Sequence, residues 1–248
     1  MINGDDFLTF IVMALLSVFS LLGVILIIIK HILAFIKTKN FNSGVVEYIF
    51  IIVCLVFQYL ALPWWLTSAA FNMKDYAKAE CFYKAAVKTA LIPSVKAFAY
   101  ENLAYYYGIR FEGQKSIDAF VKSNAIKPNP GNNAKLCLLY SFKGDTENAI
   151  NSCLNSESYR LAAVNYSMTK NYKKALETLN KRFDENPGCW DYAVRGYIYG
   201  KAGDKNAFKK DTDKALEMCP DYKQLRDFTK NPDYYEKLFA KNKKKYKF

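Results

Sequence analysis

Apolar residues fall along this chain in two regimes. Near the start they are continuous: residues 7–29 read FLTFIVMALLSVFSLLGVILIII, uncharged and interrupted only by Thr9, Ser17, Ser20 and Gly23. At about 1.5 Å of rise per residue, such a helix crosses a hydrocarbon core of about 30 Å. A second run over residues 45–66 has Glu47 in its first turn and Gln58 inside, and closes on Pro63, Trp64 and Trp65, an aromatic pair suited to a headgroup zone. The two runs predict a transmembrane helical hairpin over residues 1–66. A cleaved leader is the poorer reading of the first run. Asp5 and Asp6 precede it without a Lys or Arg, and its apolar stretch exceeds the roughly 7–15 residues of a leader's core. Gln58 either hydrogen-bonds within the membrane or stands as a tolerated lone amide.

Beyond residue 66 the apolar positions become periodic. From Tyr100, large or small apolar residues recur at Leu103, Ala104 and Tyr107, offsets of three, four and seven that place them on one helix face. Ser116, Phe120, Ser123 and Pro128 follow. A second unit has Tyr192, Gly196 and Tyr199, the turn Gly203-Asp204, then Ala215 and Pro220. Two more lie between, one with Cys137, Tyr140, Gly144-Asp145 and Ala149, the other with Tyr159, Ala163, Tyr166, Tyr172, Ala175 and Pro187. Tyr76, Ala79, Tyr83 and Ala86 fit the second helix of a partial unit whose first helix is the end of the second run.

These units resemble the tetratricopeptide repeat, a 34-residue helix–turn–helix with small and aromatic residues at set positions and a closing proline. The resemblance covers about two thirds of the chain and implies an all-α protein: two transmembrane helices, a TPR-type α-solenoid over residues 67–220, and capping helices with a Lys-rich tail over 221–248. The physics agrees, because small residues let paired helices approach, aromatics fill wider gaps, and stacked pairs bury what one pair cannot. Spacing varies: Ala79 to Ser116 is 37, Ser116 to Ala149 is 33, Ala149 to Ala175 is 26 and Ala175 to Phe208 is 33. The short interval predicts a truncated second helix near residues 151–156. Phe208 stands where the family has a small residue, so the last pair is either splayed or shifted in register by one.

After Pro220, Leu225 and Phe228 share a face, and Asn231-Pro232 opens a helix with Tyr234, Tyr235, Leu238 and Phe239 on an apolar edge. Residues 221–240 are therefore expected to cap the end of the array. The dense run from Lys241 to Lys247 suits anionic lipid headgroups, although a solvated, frayed terminus is the plainer expectation. Nucleic acid is the less favoured partner for it.

Charge sets the orientation. The chain has 35 Lys+Arg and 23 Asp+Glu, a net +12, yet residues 1–66 are neutral, with Asp5, Asp6 and Glu47 balancing Lys30, Lys37 and Lys39. Those three lysines lie in the loop between the two runs, which predicts a cytoplasmic loop over 30–44 and extracytoplasmic N- and C-termini. With 52% hydrophobic residues the chain is not of the disordered class.

The one histidine, His31, adjoins the first run, so the repeats contain no imidazole for a triad, a Cys–His pair or a His-ligated metal. Glycine-rich phosphate loops, GxSxG elbows and paired-carboxylate constellations are also missing from the sequence. No enzyme, cofactor or metal site is expected. Of six cysteines none has CxxC spacing. Cys189 and Cys219 fall at the start and end of one helical pair, where a disulfide would staple the last repeat; the preferred reading is two packed thiols. Cys137 and Cys153 are expected to be core filler.

The resemblance implies that partners bind on the concave face, which the first helix of each pair lines. Transferred to this sequence, that face comprises Phe98, Tyr105, Ile109, Leu138, Phe142, Arg160, Val164, Met168, Trp190 and Tyr197. Such a surface suits an amphipathic helix or extended apolar peptide. Carboxylate-gripping members use Lys/Asn pairs and an Arg that are not reproduced here. The expected function is a membrane-anchored scaffold binding a protein or peptide and assembling a complex. The alternative is an integral subunit that meets its partners mainly through the transmembrane hairpin.

Overall fold

The structure, a computed structural model, describes residues 22–27, 29–30, 33, 45–229, 231 and 233–248, and every regular element among them is a helix. Most of the first apolar run, with His31 and most of the loop over 30–44, lies outside the described residues; residues 22–27 are helical. The chain divides into two compact units, Met1–Leu103 and Ala104–Phe248.

In the first unit α1 (Val45–Asn72) packs along α2 (Tyr76–Thr89). The expected end of this helix at residue 66 is displaced. It continues through Pro63 for more than another turn, with Thr67 Oγ1 donating to the Pro63 carbonyl at 2.7 Å and Ala70 buried. Burial of Thr67 and Ala70 in that extra length offsets the hydrogen bond proline removes. Asp75 caps α2, accepting from the Ala77 and Lys78 amides at 3.0 and 3.2 Å. Within α1 the stretch Ile51–Asn72, of mean hydropathy 1.7, is the one helix among the described residues long and apolar enough to cross a membrane.

The second unit begins in α3 (Pro93–Ile109) and continues as α4 (Gly113–Ile126), α5 (Pro130–Lys143), α6 (Thr146–Asn155), α7 (Tyr159–Met168), α8 (Tyr172–Phe183), α9 (Cys189–Ala202) and α10 (Lys205–Met218). Short turns pair α5 with α6, α7 with α8 and α9 with α10, and successive first helices α5, α7 and α9 also touch. The truncated second helix expected near residues 151–156 is α6, of 10 residues.

One rule sets the turn inside each pair. A residue with left-handed backbone, Phe111, Gly144, Lys170 or Gly203, immediately precedes the N-cap, which is Glu112, Asp145, Asn171 or Asp204. Four residues past each cap stands the small residue that lets the pair close: Ser116, Ala149 and Ala175, each fully buried. Ser116 Oγ donates to the Ala104 carbonyl of the facing helix at 2.9 Å.

Phe208 stands four past Asp204, so the register does not slip. Nor is the pair splayed by the ring, because the small residues have moved to the facing helix. A Cβ on Gly200 would lie 3.1 Å from the Phe208 ring, and one on Gly196 would lie 3.3 Å from the Phe208 carbonyl oxygen.

The cysteine readings are corrected. Cys137 on α5 and Cys153 on α6 are disulfide-bonded, Cα atoms 4.8 Å apart, and Cys189 and Cys219 are bonded across α9 and α10 at 6.1 Å. Each bond ties the two helices of a single pair. Antiparallel packing brings both sets of Cα atoms within bridging distance. Cys54 and Cys81, in the first unit, are free.

Candidate partner-binding groove

The first helices α5, α7 and α9, with the end of α3, form one face of the second unit, and the chain's own C-terminus lies on it. Helix α11 (Lys223–Thr229) follows the last pair and packs against α9 and α10, with Leu225 and Phe228 buried. Helix α12 (Tyr234–Lys245) departs from the expectation: it packs against α5, three pairs' worth of sequence away, and runs along the inner face. The cap over 221–240 is thus restricted to α11. The inner face gives α12's apolar stripe the rings of Phe142 and Tyr197 to pack on.

Contacts along α12 are continuous. At its start Asp233 and Glu236 pair with Lys201 Nζ at 2.9 and 2.6 Å, and the Tyr197 hydroxyl donates to Glu236 Oε1 at 3.0 Å. Tyr235 meets the Tyr197 ring edge-on at 5.2 Å, and Phe239 meets Phe142 at 5.8 Å. Tyr246 packs on Phe142 and on Phe111 at 5.7 and 5.3 Å, and its carbonyl accepts from the Gly113 amide at 3.0 Å. The Phe248 ring fills the space where a side chain at Gly113 would stand. Lys245 Nζ lies 4.1 Å from the centre of the Phe111 ring, a cation–π contact. The terminus is therefore helical to Lys245 and docked, which corrects the expectation of a frayed tail: Tyr246 and Phe248 anchor what the lysines alone would leave in solvent.

Burial governs the electrostatics. Desolvation raises the Tyr197 phenol far above its usual range, and the neighbouring Glu236 carboxylate adds to the effect. Desolvation raises Tyr235 as well, opposed by the positive charge of Arg160. Lys201 is raised despite partial desolvation, because its bonds to Glu236 and Asp233 favour the charged form.

The residues expected on the concave face do not form one free surface. Tyr197, Phe142 and Trp190 do face the inner side, but the C-terminal helices cover them, with Trp190 against Tyr222 and Phe228 at 6.0 and 5.7 Å. Val164 and Tyr197 are buried at 0% and 3% exposure, and Met168 packs against the same core. None of these three offers a free surface; the covering by α11 and α12 and the packing of adjacent first helices explain why. Tyr105, Ile109, Leu138 and Arg160 remain exposed. Phe98 falls in the first unit, stacked on Trp64 at 4.4 Å. The C-terminal partners Tyr235, Glu236, Phe239, Tyr246 and Phe248 were not foreseen as groove residues. Their apolar spacing was visible, but not the surface it would cover.

No family model matches this chain, nor does any curated protein. Solved structures do. A tetratricopeptide repeat protein from Parabacteroides merdae ATCC 43184 superposes with a TM-score of 0.61 at 14% identity, over 74% of this chain and 77% of that one. YrrB, described as a TPR protein with an unusual peptide-binding site, superposes with a TM-score of 0.56 at 17% identity, over 70% of this chain and 91% of that one. At these identities the likeness is one of fold, and the chain folds as an all-α, TPR-like array of helical repeats.

Proposed function

We propose that this chain is a membrane-held scaffold that binds a segment of a partner protein on the face lined by α5, α7 and α9. The observation that carries the reading is α12 itself, a helix seated on that face through aromatic packing and a paired carboxylate, which supports a helical segment as the kind of object the surface takes. Ile109 and Leu138, 69% and 40% exposed, extend the apolar surface beyond what α12 covers. The peptide-binding site attributed to YrrB is in keeping with it.

Membrane attachment belongs to the same proposal. Ile52, Leu55, Val56 and Phe71 on α1 are each more than half exposed, an apolar surface that suits lipid better than water. The uncharged run over 7–29 supports a second crossing. Two disulfides favour an oxidising compartment for the repeats, the same side the loop lysines assign to the C-terminus. Outward lysines on α12, among them Lys241 and Lys244, suit an anionic headgroup surface.

Site-specific photo-crosslinking in native membranes tests the scaffold reading. A crosslinker at Ile109 should capture a discrete partner, one at Lys209 on α10 should not, and Leu138→Arg should remove the product. Equal labelling from both positions refutes the assignment of the face. Resistance to alkaline carbonate extraction, with a reporter after Phe248 active outside the cytoplasm, is the expected result for attachment and topology.

A further inference from the structure

The groove is already filled, and its occupant is part of the same chain. Resting on the scaffold reading above, we infer that α12 is a displaceable stand-in for the partner, and that the partner presents an amphipathic helix with aromatic residues at i and i+4 and a carboxylate at i+1. These are the roles of Tyr235, Phe239 and Glu236.

The chemistry of each groove position dictates this class. The Tyr197 edge and the Phe142 ring receive two aromatic side chains one helical turn apart, at centroid distances of 5.2 and 5.8 Å. Tyr197 OH and Lys201 Nζ converge on one carboxylate oxygen, at 3.0 and 2.6 Å. A helix lacking that carboxylate leaves a buried hydroxyl and a half-buried ammonium unsatisfied, which disfavours it. Recognition by spaced anchors on one helix face is the groove mode of helix binding.

Displacement follows from how unevenly the C-terminal helices are held. Helix α11 sinks Leu225 and Phe228 to 0% and 3% exposure within seven residues. Helix α12 buries one side chain in 12 residues, Phe239 at 6%, while Tyr234, Tyr235 and Leu238 are covered only in part. Its ion pairs lie at the rim, where the Asp233 and Lys201 side chains are 56% and 25% exposed, and water competes with such pairs. A partner helix bringing the same three anchors replaces the Tyr235, Glu236 and Phe239 contacts like with like, and its length beyond them takes the place of Tyr246 on Phe142 and Phe111, while α11 keeps the end of the array closed.

The test uses the full chain and a fluorescein-labelled peptide of its own residues 231–248. Phe239→Ala and, as a milder variant that keeps every buried apolar group, Glu236→Ala should raise hydrogen exchange along α12. Both should bind the peptide at least tenfold more tightly than wild type, and adding Phe142→Ala should abolish the gain. A peptide with its Tyr235 and Phe239 positions changed to Ala should not bind. Equal binding by wild type and both variants overturns the inference, as does no binding once α12 exchange is raised. Unchanged exchange in both variants overturns it too, since those contacts then do not hold α12. Failure of the scaffold reading shows separately, as unlocalised crosslinking from Ile109.

Discussion

The Tyr197 hydroxyl on α9 donates to Glu236 Oε1 on α12 across 3.0 Å, joining residues 39 positions apart. The bond lies at the junction of the repeat array and its C-terminal helix, in surroundings that oppose ionisation of the phenol. Tyr197→Phe keeps the ring packing on Tyr235 and removes only the hydroxyl, and Glu236 retains Lys201. The expected loss is about 1 kcal/mol, read as a lower denaturation midpoint together with faster hydrogen exchange in α12.

A pH dependence follows from the same tyrosines. Tyr197 and Tyr235 are both raised in the folded chain, chiefly by desolvation. An unfolded tyrosine ionises near pH 10, so above that value the unfolded state releases protons that the folded state retains. Their contribution is complete below about pH 10 and is lost as pH rises from there toward the folded values. Denaturation midpoints should fall steeply between about pH 10 and 11, and Tyr197→Phe should flatten the slope. An unchanged slope in the variant would locate the alkaline sensitivity elsewhere.

The disulfides should differ in accessibility. Cys137 and Cys153 are completely buried, whereas Cys219 is partly exposed. Graded reductant with differential alkylation and mass spectrometry should label exposed Cys81 without reductant, Cys189 and Cys219 next, and Cys137 and Cys153 last. Cys153→Ser opens a loop of 16 residues and should cost about 3 kcal/mol.

The repeat architecture was legible because it is written locally. Ala79, Ser116, Ala149 and Ala175 sit at one offset from their helix caps, and the short interval before Ala175 already marked the 10-residue α6. Phe208 was legible as an exception but not as a solution, since Gly200 compensates from another helix and only three-dimensional pairing links them. The groove was half legible. Phe142, Trp190 and Tyr197 are covered by the C-terminal segment, and that coverage depends on where α12 travels; an apolar stripe at Tyr235, Leu238 and Phe239 states that a surface is needed without saying which. Cys137–Cys153 escaped for the same reason: a sequence separation of 16 acquires meaning only once α5 and α6 are antiparallel.

Gly196 is the more crowded of the two close glycines in the α9–α10 pair, hemmed in from three sides rather than by one ring. An added Cβ would lie 3.2 Å from Thr212 Cγ2 and 3.3 Å from both the Asp211 Cβ and the Phe208 carbonyl oxygen. Asp211 cannot give way, because both its carboxylate oxygens hold Arg195, at 2.7 and 2.8 Å. Gly196→Val should therefore destabilise by about 2 kcal/mol or more through overpacking. Gly200→Ala, which meets the edge of the Phe208 ring, should cost less, because a ring at the helix end can swing. Equal losses in the two variants would show that Asp211 and the backbone yield as readily as the ring.

The four intrapair turns place one left-handed residue before each N-cap, and glycine fills only two of them, Gly144 and Gly203 at φ 86° and 89°. Lys170, at φ 59°, adopts the same turn with a Cβ, which costs an L-residue roughly 1–2 kcal/mol. Its amide donates to the Ser167 carbonyl, and the Asn171 amide that follows donates to Tyr166, at 2.9 and 3.0 Å, so the backbone bonds hold the turn whatever the side chain. Lys170 is exposed, and replacing it removes no buried contact. Glycine there relieves the strain but adds freedom to the unfolded chain, worth about 0.5–1 kcal/mol in the opposite direction. The balance favours Lys170→Gly by about 0.5–1 kcal/mol. The reciprocal Gly203→Lys, with open space around its Cβ position, should lose a similar amount. Urea midpoints of the two variants against wild type decide it: opposite shifts mean that backbone handedness governs these turns, and a loss in both means that Lys170 contributes through its side chain.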